Sequence, residues 1–201
     1  MNHLVVVAHP NASGYCVSLA SAYQHTLEAR GHHVIWTDLY RDPLTPVLSA
    51  TEYQATRRGA YASELAAAHA HLRSMDALTL FFPLWWMGFP AVMKGWIDRV
   101  FSYGVAYEMD GERPIPLLEG RRCATVATMG THTKDYVEDG AIPAMELLWR
   151  RHVFGFCGLE LTSCLWLGNA SLASDEERSR HREDVDALAR GWNTAREAPP
   201  S

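Results

Sequence analysis

Residues 77–102, ALTLFFPLWWMGFPAVMKGWIDRVFS, run an apolar stretch into a proline-bounded cluster of rings and then into a helix. Ala77 to Phe82 has the length and composition of a buried strand. Pro83 and Pro90 stiffen the chain beyond it, and Trp85, Trp86, Met87 and Phe89 supply flat, polarisable surface between them. Rings alone would suit a core and prolines alone a loop; together they read as a rigid pocket for stacking a planar ligand. For any single ring the competing reading is packing, of Trp85 or Phe89 for instance, against a neighbouring helix or partner subunit. Past Pro90, a helix start signal, Val92, Trp96 and Val100 recur every four residues and predict a helix over Ala91 to Ser102.

Working outward, similar units appear on both sides. Leu4 to Ala8 is a first apolar strand, the turn HPNASG follows, and Tyr15 to Arg30 places Ala20, Tyr23 and Leu27 on one helical face with Gly31 as its C′ residue. His33 to Asp38 reads as the second strand. Arg41 to about Ala60, with Pro43 and Pro46, reads as a surface excursion before an alanine-rich helix ending near Arg73. After the quoted stretch come a polar loop from Met109 to Glu119, a strand from Cys123 to Thr128, the loop MGTHTKDYVEDG, a helix from about Pro143 to Phe156 and a last strand from Leu161 to Leu167. The final helix opens on a capping box, Ser174 with Glu177. Strands alternating with helices predict one α/β domain over 1–195, a five-stranded parallel sheet with helices on both faces, and a disordered tail at 196–201.

Charge narrows the partners. Eighteen basic and 23 acidic residues leave a net charge of −5 with no basic face, which disfavours nucleic acid and anionic lipid and favours a small molecule. Cys16, Cys123, Cys157 and Cys164 form no C-x-x-C pair and read as reduced thiols of a cytoplasmic protein. The N-terminal apolar run is too short for a signal peptide or membrane span. The pairs His32/His33 and His69/His71 lack the spacing and supporting acid of a metal site, so no metal is expected and they read as surface or satisfied histidines. There is no G-x-S-x-G elbow, no G-x-x-x-x-G-K-[ST] and no G-x-G-x-x-G.

In a sheet of this kind ligands bind beyond the carboxyl ends of the strands. The loop after the first strand, with His9 and Ser13, leads to a helix N-terminus and suits a phosphate; a plain turn capped by Asn11 or Ser13 is the alternative. The loop after the fourth strand offers Thr128, Gly130, Thr131, Thr133 and Tyr136, short donors around a glycine, and reads as an edge reader. The run DEERSRHRED reads as a solvated helix face.

The chain resembles the flavodoxin-like NAD(P)H:quinone oxidoreductases, a family that includes ancillary subunits of potassium efflux systems. The resemblance rests on FPLWWMGFPAVMKGWIDRVFSYGVAY (82–107), with Lys94 to Phe101 matching K-G-W-[IF]-[DE]-[KR]-V-F, and on VVVAHP and TVATMG in the right order. It implies a flavodoxin-like fold and a bound flavin, FMN or FAD. His9, Ser13 and Tyr15 would lie on the phosphate side, Pro83, Leu84, Trp86 and Met87 at the ring, and Thr128, Met129, Gly130 and Tyr136 at the pyrimidine edge, Tyr136 being the candidate catalytic residue. Two departures stand out: Ala127 to Gly130 replace T-T-G-G, and Ile142 stands where larger quinone reductases carry a histidine. The implied activity is ping-pong hydride transfer from NAD(P)H through flavin to a quinone or similar planar acceptor, in a homodimer. A flavin- and nicotinamide-binding regulator of a membrane transporter is the alternative. A one-electron carrier is disfavoured, because such flavodoxins are typically very acidic.

Overall fold

The computed structural model describes residues 1–42 and 44–193. The expected tail at 196–201 and the last two residues of the expected domain lie outside them. Five strands, β1 (Asn2–Val7), β2 (His33–Asp38), β3 (Ala77–Pro83), β6 (Arg122–Thr128) and β7 (Glu160–Leu167), pair in the order β2-β1-β3-β6-β7. Every pairing is parallel, so all five carboxyl ends lie on one edge, and strand order reverses between β1 and β3.

The strands read as unbroken apolar runs because both faces are covered. Leu4, Val6, Leu78, Leu80 and Phe82 share one core with α3 (Ala66–Ser74), α4 (Ala91–Val100) and α6 (Ala141–Leu148). Val5, Val7, Phe81, Ala124 and Val126 share the other with α1 (Tyr15–Ala29) and α7 (Asp175–Arg190). Ala20, Tyr23 and Leu27 are buried on α1 as their spacing requires, and Gly31 (φ +81°) closes that helix in the left-handed region. Both halves of the capping box on α7 form: Ser174 Oγ accepts from Glu177 N–H, and the Glu177 carboxylate accepts from Ser174 N–H. Among the described residues no helix is long and apolar enough to cross a membrane, and all four cysteines are free.

Several loops carry more structure than expected. The excursion after β2 holds α2 (Ala50–Thr56), capped by Ser49 Oγ accepting from Glu52 N–H. The Glu52 carboxylate turns away to Arg99 instead of closing a capping box. The polar stretch after α4 is an antiparallel hairpin, β4 (Tyr107–Asp110) and β5 (Arg113–Pro116), turning at Gly111 with φ +61°. The loop after β6 contains α5 (Thr133–Glu138). The helix expected to begin near Pro143 begins at Ala141, since proline is tolerated in a first turn, and after Leu148 it widens into a π-helical turn, Trp149–Phe154. His69 is buried and satisfied by Ser102. His32 departs from expectation: it is buried, and neither ring nitrogen has a hydrogen-bond partner among the described residues.

Candidate functional site

Three loops meet at the carboxyl edge where strand order reverses. Between β1 and α1 the chain turns tightly, with Gly14 N–H donating to Asn11 O at 3.0 Å. A Cβ on Gly14 would come within 2.6 Å of the His9 ring, so glycine is required for imidazole and backbone to lie this close. The N-cap is Gly14, not Asn11 or Ser13, and it supplies no side-chain cap. The reason is local: Asn11 Oδ1 accepts from both the Ser13 N–H and the Ser13 hydroxyl, so neither side chain turns toward the helix. The first amides of α1 are left without a side-chain acceptor, at the positive end of a 15-residue helix.

The β3–α4 loop divides its rings between two jobs. Phe89 packs inward, stacked on Trp149 at 4.6 Å and 22°, and Trp149 stacks in turn on Trp166 at 5.3 Å. The Trp166 indole N–H is held by the Glu146 carboxylate at 2.7 Å. This column anchors the loop's C-terminal half, so the packing reading holds for Phe89. Trp85 does not pack inward. Its N–H and C=O pair with Gly88 across a two-residue turn whose central residues, Trp86 and Met87, have φ of 51° and 57°. Left-handed backbone costs a non-glycine residue about 1–2 kcal/mol. The turn nevertheless places the Trp86 side chain fully in solvent (102% relative exposure), with Met87 and Trp85 also exposed. The strain holds an indole in solvent, where it adds nothing to packing, and this makes the turn the candidate ligand surface of the loop. Pro83 is buried in β3, and Leu84, half-buried, ties the loop to β6 through its N–H to Thr128 O at 2.8 Å.

After β6, Thr128 and Met129 are buried. The Met129 amide and carbonyl are engaged by Leu167 O and Ala170 N–H, and Asn169 (φ 54°) donates its N–H to Thr131 O. Gly130 and Thr131 are exposed at the rim, and the Tyr136 hydroxyl lies 3.5 Å from Thr131 Oγ1. Ile142 is buried in the core and offers no proton-transfer group beside Tyr136.

Three polar features escape a sequence reading. The Tyr15 hydroxyl meets His181 Nδ1 at 3.1 Å while the Arg178 guanidinium lies 4.5 Å from its ring centre, so α7 turns a cationic face toward α1. The three-residue spacing of Arg178 and His181 inside DEERSRHRED is the signal that could have shown this. The Tyr15 phenol is pushed up by burial, against the pull of Arg178 and Arg182, and His181 is lowered, chiefly by burial. The third feature is Arg41, beyond β2, whose guanidinium spans the carbonyls of His9 and Pro10. Cys16, beneath this loop, is pushed up to about 12 by burial and is unreactive as a nucleophile. No cluster of potential metal ligands occurs among the described residues.

Residues 1–189 match the family model described as the flavodoxin-like fold. The chain belongs to this family. Among its relatives is an NAD(P)H oxidoreductase of Haemophilus influenzae, 32% identical over 179 residues and covering 89% of each chain. Human ribosyldihydronicotinamide dehydrogenase [quinone] is 28% identical over 195 residues, covering 87% of this chain and 84% of the relative. Among solved structures, the NAD(P)H:quinone oxidoreductase from Methanothermobacter marburgensis superposes with a TM-score of 0.83 at 26% identity, covering 94% and 96% of the two chains. The shared order β2-β1-β3-β6-β7 is the doubly wound arrangement of the family, with its ligand crevice at the β1/β3 switch point.

Proposed function

We propose that the protein is a flavin-dependent NAD(P)H oxidoreductase whose acceptor is a quinone or similar planar molecule. The observation that carries this reading is the left-handed Trp86–Met87 turn, which offers an exposed indole at the same sheet edge as the uncapped start of α1. One feature suits a flat ring and the other an anion, the two halves of a flavin nucleotide. Relatives named NAD(P)H oxidoreductase and quinone dehydrogenase support the same chemistry.

A bound flavin would supply the redox step, accepting a hydride from the nicotinamide and delivering two electrons to the acceptor in a second half-reaction. The chain binds and orients. Its α1 amides and His9 would hold the phosphate, with Ser13 and Tyr15 on the same side; Pro83, Leu84, Trp86 and Met87 would seat the ring; and Gly130 would form the exposed rim at its pyrimidine edge, next to the buried Thr128 and Met129. Tyr136 stands at that rim as the candidate proton donor, its hydroxyl 3.5 Å from Thr131 Oγ1. Trp86 excludes water from one side of the reacting slot.

Four free thiols fit a reducing, cytoplasmic compartment. A second copy of the chain is the proposed cover for the cavity of about 640 Å³ beside Gly88 and Phe89, whose rim exposes Leu148 next to Leu147. Initial rates with NADPH and a benzoquinone varied together test the catalytic reading. Parallel double-reciprocal lines are expected, whereas converging lines or the absence of turnover in flavin-reconstituted protein would overturn it.

A further inference from the structure

The β1–α1 loop is held from outside by one side chain. Arg41, three residues past the end of β2, donates from Nη1 to His9 O at 2.8 Å and from Nη2 to Pro10 O at 3.0 Å. The Asp38 carboxylate braces the same guanidinium at 3.2 Å and also accepts from Tyr40 N–H. A planar fork spanning two consecutive carbonyls fixes two peptide planes at once, which a point charge on a flexible stem does not do. Because C=O and N–H of a trans peptide point in opposite directions, holding Pro10 O toward β2 aims the Asn11 N–H the other way. That N–H lies 3.1 Å from His9 Nδ1. The same Nδ1 lies 3.0 Å from Asn11 O, so both backbone groups of Asn11 contact the ring nitrogen. The relay therefore runs from Arg41 through the Pro10–Asn11 peptide to the orientation of the His9 ring.

We propose that Arg41 is a positioning residue for the flavin phosphate, locking the β1–α1 loop and the His9 ring in the shape that receives the anion. The inference rests on the reading above that this loop holds the phosphate. Arg41 acts through the loop and its charge also favours an anion nearby, so its removal should be felt by FMN and not by riboflavin, which has the same ring and no phosphate.

The test is quenching of flavin fluorescence by the full-length apoprotein, titrated with FMN and with riboflavin, for wild type, Arg41→Ala and Arg41→Lys. The ratio of the two affinities within one variant is insensitive to a loss of folded fraction. Wild type should prefer FMN. R41A should lose about tenfold of that preference, as expected for charge-assisted hydrogen bonds, with riboflavin affinity unchanged within about twofold. R41K, whose ammonium cannot span both carbonyls, should lose about threefold. A wild type that binds both flavins equally would remove the phosphate reading and this proposal with it. A wild type that prefers FMN while R41A keeps the full preference would overturn the role of Arg41 alone. If R41A does not fold, R41K decides in the same way, an unchanged ratio overturning the proposal.

Discussion

Mild acid should destabilise this protein through His3, at the end of the sheet opposite the site. His3 is fully buried on β1, with Nε2 2.8 Å from Thr79 Oγ1 and 3.2 Å from the Tyr23 hydroxyl, which also lies 2.8 Å from Thr79 and accepts from the Trp192 indole N–H at 2.5 Å. Its Nδ1 has no partner among the described residues. The groups around it are His32, the chain N-terminus and Arg122, with no carboxylate among them to receive a charge. Burial, then these three, lower its pKa from 6.5 to about 3. The folded pKa is depressed, so the unfolded chain binds the extra proton first. The stabilisation is full above pH 6.5 and is lost as pH falls from there toward about 3. At about pH 5 the loss amounts to about 2 kcal/mol, one and a half pH units at about 1.4 kcal/mol each. His32, His69 and His181 are also lowered, so they add to the effect with the same sign. The His3→Gln variant isolates His3, because an amide can still bond Thr79 but does not titrate. Denaturant unfolding followed by tryptophan fluorescence should show wild type losing about 2 kcal/mol more than H3Q between about pH 7.5 and 5. Parallel stability curves for the two proteins would show that His3 does not carry the acid sensitivity.

Replacing Trp86 and Met87 together by glycine should raise the thermal midpoint, by relieving about 1 kcal/mol of left-handed strain at each position, while abolishing flavin binding; a stable variant that still binds flavin would show that the turn is not part of the site. Arg99→Ala should cost about 3 kcal/mol in denaturant unfolding, because the buried guanidinium ties Glu52, Glu64 and Thr45 O to α4 and its loss strands a largely buried carboxylate. Gly95→Ala should destabilise by about 2 kcal/mol, since a Cβ there would come within 2.0 Å of Pro46 O and force the post-β2 segment off α4, again read by denaturant unfolding.

The parallel sheet was legible because buried strands in such folds are continuous apolar runs, and β2 was bounded correctly at both ends. Ser174 with Glu177 announced its helix through local chemistry, and so did Gly31. Elements set by tertiary partners were not legible. Ser49 caps α2 as a sequence pattern would suggest, but Glu52 is claimed by Arg99, 47 residues away. The β4–β5 hairpin carries a turn signal at Asp110–Gly111 but only four residues in each strand, too few to stand out from a polar loop. At the site, the residue types in the aromatic loop indicated a stacking surface, yet the left-handed turn could not be read from Trp86 and Met87, which have no preference for that conformation. Trp85, whose sequence context allows core, partner or slot, lies exposed with its backbone paired to Gly88. Arg41, Arg178 and His181 reach the site only because β2 and α7 flank α1 and its loop in space.

In the proposed function the strand-end loops hold one flavin per chain, ring at Trp86 and phosphate at α1. Titration of the apoprotein with FMN and with FAD, followed by visible circular dichroism, tests it most directly, because a flavin held in one orientation against an asymmetric aromatic wall acquires ellipticity that free flavin lacks. Induced ellipticity should saturate at one flavin per chain for at least one of the two, and it should be lost in the Trp86→Gly, Met87→Gly variant. Flavin that gains no ellipticity with either cofactor, or gains it equally in the glycine variant, would rule out this placement of the flavin.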